Sequence, residues 1–122
     1  MARMEKEIIY KDLSYKIIGA AMNVHKELGC GFLESVYDEA FGIEIERIKL
    51  RFEYQKELEI LYRGKKLKKK FRVDYLIENK IVVENKAKRE IDEIDEAQMH
   101  NYLKASGLKL GIIINYAKPS LE

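Results

Sequence analysis

Two acids and a lysine lie in a pattern that can act on phosphate. Segment 81–87 reads IVVENKA, and strand alternation puts Glu84 and Lys86 on one face. Asp74, in the neighbouring predicted strand, can share that face. Two carboxylates on adjacent strands repel each other unless a cation lies between them, and a hard divalent cation such as Mg²⁺, or Mn²⁺ in its place, prefers carboxylate and water oxygens. The Lys86 ammonium can then orient a water activated by the metal and stabilise charge developing on a phosphate.

A second interpretation of the same residues stays open. Lys86 and Arg72 can simply form a solvated ion-pair lattice with the two acids. Charged residues make up 36% of the chain, so a Glu-x-Lys pattern has little specificity. It occurs again at Glu78-Asn79-Lys80, which we expect in a turn.

The helices that must support this site follow from apolar spacing. Leu13, Ile17, Ala21, Val24 and Leu28 recur at helical intervals and predict a first helix over 12–28, which ends at a glycine. A second helix is predicted over 32–48. We expect its buried stripe to be Leu33, Val36, Tyr37, Ala40 and Phe41. The Tyr37 hydroxyl is expected to reach Glu34.

Strands follow where the apolar period becomes alternating, after residue 49. Tight turns at 63–65 and 78–80 separate three predicted strands in an antiparallel meander. The first strand should place Leu58, Ile60 and Tyr62 on one face. The second should place Phe71, Val73, Tyr75 and Ile77 together, opposite Arg72, Asp74 and Leu76.

The last elements complete an α/β architecture. Asp92 and Asp95 are spaced for a capping box at the start of a third helix that ends near Ser106-Gly107. Segment 108–116 is almost entirely apolar, which is typical of a strand covered on both faces. The order α, α, β, β, β, α, β predicts one domain over 1–122, with helices flanking a mixed sheet.

Composition limits the possible functions. The net charge is +2, so nucleic-acid binding must come from local clusters of charge. The single cysteine, Cys30, excludes an internal disulfide and a cysteine-rich iron–sulfur or zinc site, and His25 and His100 lack partners at ligand spacing. No segment has the ~20 apolar residues of a membrane span, and residues 1–12 lack the apolar core of a signal peptide. We therefore expect a cytoplasmic protein.

The densest basic run lies around the first predicted hairpin. It consists of Lys65, Lys66, Lys68, Lys69 and Lys70. The run can be a phosphate-contacting arm with salt-dependent binding. Equally, lysines can protect an exposed strand edge from aggregation.

Segment 31–37, GFLESVY, resembles the signature of the bacterial and archaeal GxxExxY proteins. Further matches to that pattern lie in order along roughly residues 13–121, including Gln55, Asp74, Glu84 and Lys86. GxxExxY proteins are assigned to the PD-(D/E)XK nuclease superfamily. The resemblance implies its restriction-endonuclease-like αβββαβ core, here with an extra N-terminal helix.

The resemblance also implies site residues. Asp74, Glu84 and Lys86 match the positions that bind Mg²⁺ and cut phosphodiester bonds, and Glu34 matches a helix glutamate that often completes the metal site. Segment 98–102 resembles the Gln-x-x-x-Tyr motif of RecB-like nucleases, which gives Gln98 a positioning role and places Tyr102 near nucleic acid. The chain departs from the pattern in three places. Asn85 stands where leucine is usual, segment 115–117 reads NYA instead of Asn-Phe-Gly, and the sequence given reaches Leu121-Glu122 without the basic residues that often follow in the family.

Two main function hypotheses follow. The first is a Mg²⁺-dependent nuclease acting on DNA rather than RNA, with Glu84, Asp74, Lys86, Glu34 and Gln98 in catalysis. The second is a catalytically inactive nucleic-acid-binding or assembly module with the same fold, and a structural partner protein is a third. A chain of this size leaves no room for a separate target-recognition domain, so we expect specificity from a homodimer or a partner.

Overall fold

A computed structural model of the chain describes residues 10–121. The expected absence of a signal peptide concerns residues that lie largely outside this range. The elements are helices α1 (Lys11–Leu28), α2 (Glu34–Arg47) and α3 (Glu93–Ser106), and strands β1 (Phe52–Tyr62), β2 (Lys65–Ile77), β3 (Ile81–Lys86) and β4 (Leu110–Asn115). Their sequence is the predicted α, α, β, β, β, α, β.

The sheet is mixed, as predicted. Its strand order is β1-β2-β3-β4; β1 and β2 pair antiparallel, as do β2 and β3, and β3 pairs parallel with β4. The turn from β2 to β3 has positive φ at both Glu78 (53°) and Asn79 (55°). The Lys80 amide closes this turn by donating to the Ile77 carbonyl, and positive φ at both central residues is typical of a type I′ turn. Restriction-endonuclease-like architecture, a mixed sheet flanked by helices with an additional N-terminal helix, is thereby confirmed.

Two apolar clusters lie on the two faces of the sheet. The first cluster joins α1 and α2 to residues such as Ile77, Ile81 and Val83. The second joins α3 to residues such as Leu76 and Val82. β4 contributes Ile112 to the first and Ile113 to the second, so the prediction that both of its faces are covered is confirmed.

The face of α2 that is buried differs from the prediction. Tyr37 and Phe41 are fully buried, but Leu33 is 77% exposed and Val36 is also at the surface. Asp38 is buried instead. Leu33 precedes the helix as its N-cap, so the predicted stripe began one residue outside the helix.

The prediction that Phe71, Val73, Tyr75 and Ile77 share one face is wrong. Val73 belongs to the second cluster, whereas Tyr75 belongs to the first. The cause lies in β1, where Gln55 has φ of 53° and lies between Tyr54, which pairs with Tyr75, and Lys56, which pairs with Val73. A residue in the left-handed conformation interrupts the regular pleat. The alternation of side chains is therefore broken at this point, and Val73 and Tyr75 lie on opposite faces of the sheet. Tyr62 lies near the tip of the β1–β2 hairpin, which extends past the core. Its side chain is therefore exposed.

The start of α3 is fixed by the predicted capping box. The Asp92 carboxylate accepts a 3.0 Å hydrogen bond from the Asp95 amide, and Asp95 Oδ2 accepts one of 3.0 Å from the Asp92 amide. Lys88 Nζ lies 2.8 Å from the same Asp95 oxygen. Of the helices within residues 10–121, none combines the length and apolar character needed to cross a bilayer.

Candidate active site

The site is built where β2 and β3 stop pairing. Their regular register runs from Ile77↔Ile81 to Tyr75↔Val83. Beyond it, carboxylates take the place of backbone carbonyls as hydrogen-bond acceptors. The Asp74 amide donates to Glu84 Oε2 over 2.6 Å, and the Asn85 amide donates to Asp74 Oδ2 over 2.8 Å. Each acid is thus oriented by the opposite strand.

One oxygen of each carboxylate remains available. Among residues 10–121, neither Asp74 Oδ1 nor Glu84 Oε1 receives a hydrogen bond. In the same part of the chain, Ser14 Oγ is the only side-chain polar atom that is buried without a partner. The two free carboxylate oxygens therefore retain contact with solvent, where a cation can reach them.

Burial and neighbouring negative charges make the charged form of both acids unfavourable. Glu84 is 6% exposed, and burial followed by the charge of Asp74 raises its pKa to about 8. Burial followed by the charge of Asp38 raises the pKa of Asp74 to about 6. A cation between them would relieve this repulsion, so the donor chemistry fits a hard metal ion.

Lys86 lies close enough to act on both acids but does not neutralise them. Its positive charge lowers the pKa of Asp74 and of Glu84. Within the described chain it forms no ion pair with either. Arg72 pairs with Glu57 at 3.5 Å instead. The solvated lattice of Lys86 and Arg72 with the two acids does not form in the structure.

Helix α2 presents two acids toward this edge, one full turn apart. Glu34 is exposed, and its charge contributes to raising the pKa of Asp74. Asp38 is buried, and its charge raises the pKa of Asp74 more than that of Glu34 does. Sequence reasoning missed Asp38, although its spacing of four residues from Glu34 puts both on one helical face.

The Tyr37 hydroxyl does not reach Glu34, contrary to the prediction. It donates a 2.6 Å hydrogen bond to the Gly29 carbonyl and accepts one of 3.2 Å from the Phe32 amide. Tyr37 therefore closes the loop between the first two helices. Glu34 keeps its side chain free of this bond.

Helix α3 covers the other side of the acids. Tyr102 is buried and stacks on Phe71 with ring centroids 4.3 Å apart. Burial, then the charges of Glu84 and Asp74, raise its pKa to about 12, so its hydroxyl lies within electrostatic range of the site. Gln98, one turn earlier, is exposed. The predicted pair is thus divided between the core and the surface.

The number of protein ligands is small. Within residues 10–121, no three His, Cys, Asp or Glu side chains converge into a group that could hold a metal, so Glu34 is not gathered with Asp74 and Glu84. Mg²⁺ commonly keeps several waters and takes one or two protein carboxylates. An acid pair that is open to solvent can provide these carboxylates and leaves room for the waters.

The repeated Glu-x-Lys pattern lies elsewhere. Glu78 Oε2 accepts a 2.7 Å hydrogen bond from the Arg51 amide, and its other oxygen lies 3.4 Å from the Arg51 guanidinium. These bonds hold the pKa of Glu78 below its usual value. Glu78 lies in a turn, as expected, and its bonds to Arg51 tie the hairpin to the start of β1.

The basic run lies on the long β1–β2 hairpin, whose strands extend well past the shorter β3 and β4. Lys66 pairs with Glu59 at 3.3 Å. Elsewhere in the described chain, Lys65, Lys68, Lys69 and Lys70 have no ion-pair partner. All five are exposed. We call residues 58–70 the basic arm.

Comparison with known proteins identifies the fold family. A family model of the PD-(D/E)XK nuclease superfamily matches residues 11–122, and nucleases of this superfamily typically depend on a divalent metal. Neither the curated proteins nor the solved structures gave a match. Since the family match covers nearly the whole sequence, the chain belongs to the PD-(D/E)XK nuclease superfamily.

Proposed function

We propose that the chain is a Mg²⁺-dependent nuclease that hydrolyses phosphodiester bonds of DNA. The observation that supports this most is the pair formed by Asp74 and Glu84. Each acid is held by a backbone amide of the opposite strand and keeps one oxygen open to solvent. A buried acid pair without a neutralising cation is unfavourable. Binding of a metal ion would supply that cation, so the pair favours metal binding.

Each residue has a defined part in this proposal. Asp74 and Glu84 hold the metal, which when bound supplies Lewis-acid activation of water and charge stabilisation. Lys86 assists the attacking water and stabilises negative charge on the phosphate. Glu34, exposed at the start of α2, extends the acidic surface through intervening water. Gln98, exposed on α3, contacts the substrate beside the site, with Tyr102 supporting this edge from within the core.

The preference for DNA rests on the shape of the basic arm. A two-stranded β-ribbon fits the major groove of B-form DNA, whereas the major groove of A-form RNA is too deep and narrow for protein side chains to read. The arm is such a ribbon, with Lys65, Lys68, Lys69 and Lys70 unpaired on it within the described chain. Lysines in this setting contact phosphates and add affinity without sequence preference.

The test is cleavage of supercoiled plasmid, linear duplex DNA, single-stranded DNA and duplex RNA, each with Mg²⁺, Mn²⁺ or EDTA. We expect metal-dependent cutting of DNA and little cutting of RNA. Plasmid relaxation distinguishes internal cleavage from digestion of ends. Absence of cutting on every substrate with either metal would contradict the proposal.

A binding module without turnover is the second candidate. It is favoured because, within residues 10–121, Asp74 and Glu84 are not joined by a third side chain in a group that could hold a metal. In this case the basic arm binds DNA, and the acid pair has only a structural role. Salt-dependent DNA binding without cleavage in the same assays would select this candidate.

Subfamily, domain organisation, assembly and location complete the proposal. Because segment 31–37 resembles the GxxExxY signature, we also propose that the chain is a GxxExxY protein and acts as one domain in the cytoplasm. A homodimer is supported by the exposed apolar stripe of Leu33, Val36 and Ile43 along α2. Sedimentation velocity tests this proposal. We expect the wild type to sediment as a dimer and Ile43→Glu to sediment as a monomer. A monomeric wild type would contradict the proposal.

A further inference from the structure

Asp38 is bonded to the residue that follows each acid of the pair. The Tyr75 hydroxyl donates a 2.7 Å hydrogen bond to the Asp38 carbonyl, and Tyr75 follows Asp74. Asn85 Nδ2 donates a 2.9 Å hydrogen bond to Asp38 Oδ1, and Asn85 follows Glu84. A single residue of α2 therefore joins β2 and β3 directly behind the candidate site.

Asn85 is held at both ends of its side chain. Its Oδ1 accepts a 2.9 Å hydrogen bond from the Tyr116 hydroxyl, while its Nδ2 donates to Asp38. Asn85 and Tyr116 are fully buried. The amide of Asn85 is also the donor that orients Asp74, so the position of this backbone unit bears directly on the acid pair.

This network places polar side chains in the core. A buried polar group without a hydrogen bond destabilises the folded state, and Asn85 and the largely buried Asp38 are tolerated because they bond to each other. Such a network has one favourable geometry, because shifting one member leaves its partners unpaired. An apolar side chain at position 85 would pack without fixing that geometry.

We infer that Asp38 is a positioning residue, which acts through Asn85 and Tyr75 to set the separation of Asp74 and Glu84 for a divalent cation. Asp38 itself is not a ligand. The inference rests on the proposed metal-dependent function. It deepens that function by assigning the geometry of the acid pair to a buried network anchored on α2.

Residues behind a metal site orient its ligands, and their substitution typically lowers metal affinity or activity about 10- to 100-fold. Asp38→Ala removes the carboxylate that holds Asn85, and we expect a loss of Mn²⁺ affinity in that range. Asp38→Asn keeps an oxygen acceptor for Asn85. Its Mn²⁺ affinity should fall by only a few-fold, because the neutral hydrogen bond retains most of the geometry while the negative charge near Asp74 is lost.

Milder variants keep the test decisive if Asp38→Ala does not fold. Tyr116→Phe and Tyr75→Phe each remove one hydroxyl of the network, and each should weaken Mn²⁺ binding about 2- to 10-fold. Tyr37→Phe is the matched control. Tyr37 is equally buried and hydrogen-bonded, and its ring stacks on Tyr116 at 4.7 Å, but its hydroxyl bonds to the α1–α2 loop.

The measurement is calorimetric Mn²⁺ binding to each full-length variant, with thermal unfolding as the stability control and cleavage as a second readout. Tyr37→Phe should lower stability yet bind Mn²⁺ like the wild type, in contrast to the two network tyrosines. Unchanged affinity in Tyr116→Phe and Tyr75→Phe would overturn the inference while leaving the nuclease proposal intact. Equal losses in Asp38→Asn and Asp38→Ala would also overturn it. A wild type that neither binds Mn²⁺ nor cuts DNA would instead refute the proposed function and this inference together.

Discussion

The backbone amide of Asp74 donates a 2.6 Å hydrogen bond to the carboxylate of Glu84, at the point where their two strands cease to pair. Regular pairing would have used a carbonyl of the neighbouring strand as acceptor. Because a side chain accepts instead, the two acids are held beside each other at an opening in the sheet. The same opening leaves one oxygen of each exposed to solvent.

The raised pKa values predict how the stability of the metal-free protein depends on pH. The pKa of Glu84 rises from its usual 4.5 to about 8 on folding, and that of Asp74 from 3.8 to about 6. Between these values the unfolded chain has lost protons that the folded chain keeps, so stability falls as pH rises. We expect the contribution of these two acids to lower the melting temperature in EDTA progressively from about pH 4 to pH 8, the window given by these pKa values.

The control for this prediction is Glu84→Gln, which cannot ionise at this position. Its melting temperature should depend much less on pH over the same window. Excess Mg²⁺ should raise the melting temperature of the wild type most at the alkaline end, where both acids are ionised. A wild-type melting temperature that rises with pH in EDTA would contradict the description of the acid pair.

Glu34 is predicted to contribute to metal binding through its charge. It is exposed, and its charge acts on Asp74 from the first turn of α2. Glu34→Gln should therefore weaken Mg²⁺ binding by a few-fold, less than the loss of a direct ligand. Glu39→Gln, an exposed glutamate on the same helix, is the matched control and should leave the calorimetric affinity unchanged. Equal affinities in the two variants would restrict Glu34 to the helix surface.

The basic arm is predicted to bind phosphates. Each phosphate contact that is lost should reduce the slope of log K against log salt by about 0.9 for B-form DNA. Replacing Lys68, Lys69 and Lys70 with glutamine should therefore flatten the salt dependence of binding. The same replacement at Lys11, Lys16 and Lys26, all exposed on α1, should change it little. If the slope of log K against log salt were the same for the two triple variants, the lysines of the basic arm would serve solubility and not DNA binding.

The sequence predicted the element order, because the order depends on local periodicity. The capping box of Asp92 and Asp95 was also predictable, because its signal lies within four residues. Leu33 was assigned wrongly, because spacing alone does not say where a helix begins. The exchange of faces between Val73 and Tyr75 had no local signal: it depends on the left-handed conformation of Gln55, which sits between their partners on β1.

The candidate site was only partly predictable. Asp74, Glu84 and Lys86 stand out by type and spacing, but Asp38 does not, because its role depends on contacts 47 residues away with Asn85. Asn85 and Tyr116 were noted separately as departures from a resembling pattern. The structure joins them by a 2.9 Å hydrogen bond, so each provides the polar partner that the other requires.

The most direct test compares the two glutamates that precede a lysine by two residues. Glu84→Gln removes an acid of the proposed site, whereas Glu78→Gln alters only the link to Arg51. Loss of a metal ligand should slow cleavage by orders of magnitude, since a barrier increase of ~1.4 kcal/mol already means tenfold. Glu78→Gln should lower stability only slightly, as expected for an exposed ion pair, and should cut at the wild-type rate.

The measurement is the rate of plasmid cleavage in Mg²⁺ and in Mn²⁺, with circular dichroism to verify folding. We predict that Glu84→Gln is folded and inactive, and that Glu78→Gln is folded and fully active. Metal-dependent cleavage that persists in a folded Glu84→Gln protein would contradict the assignment of the active site to the Asp74 and Glu84 pair.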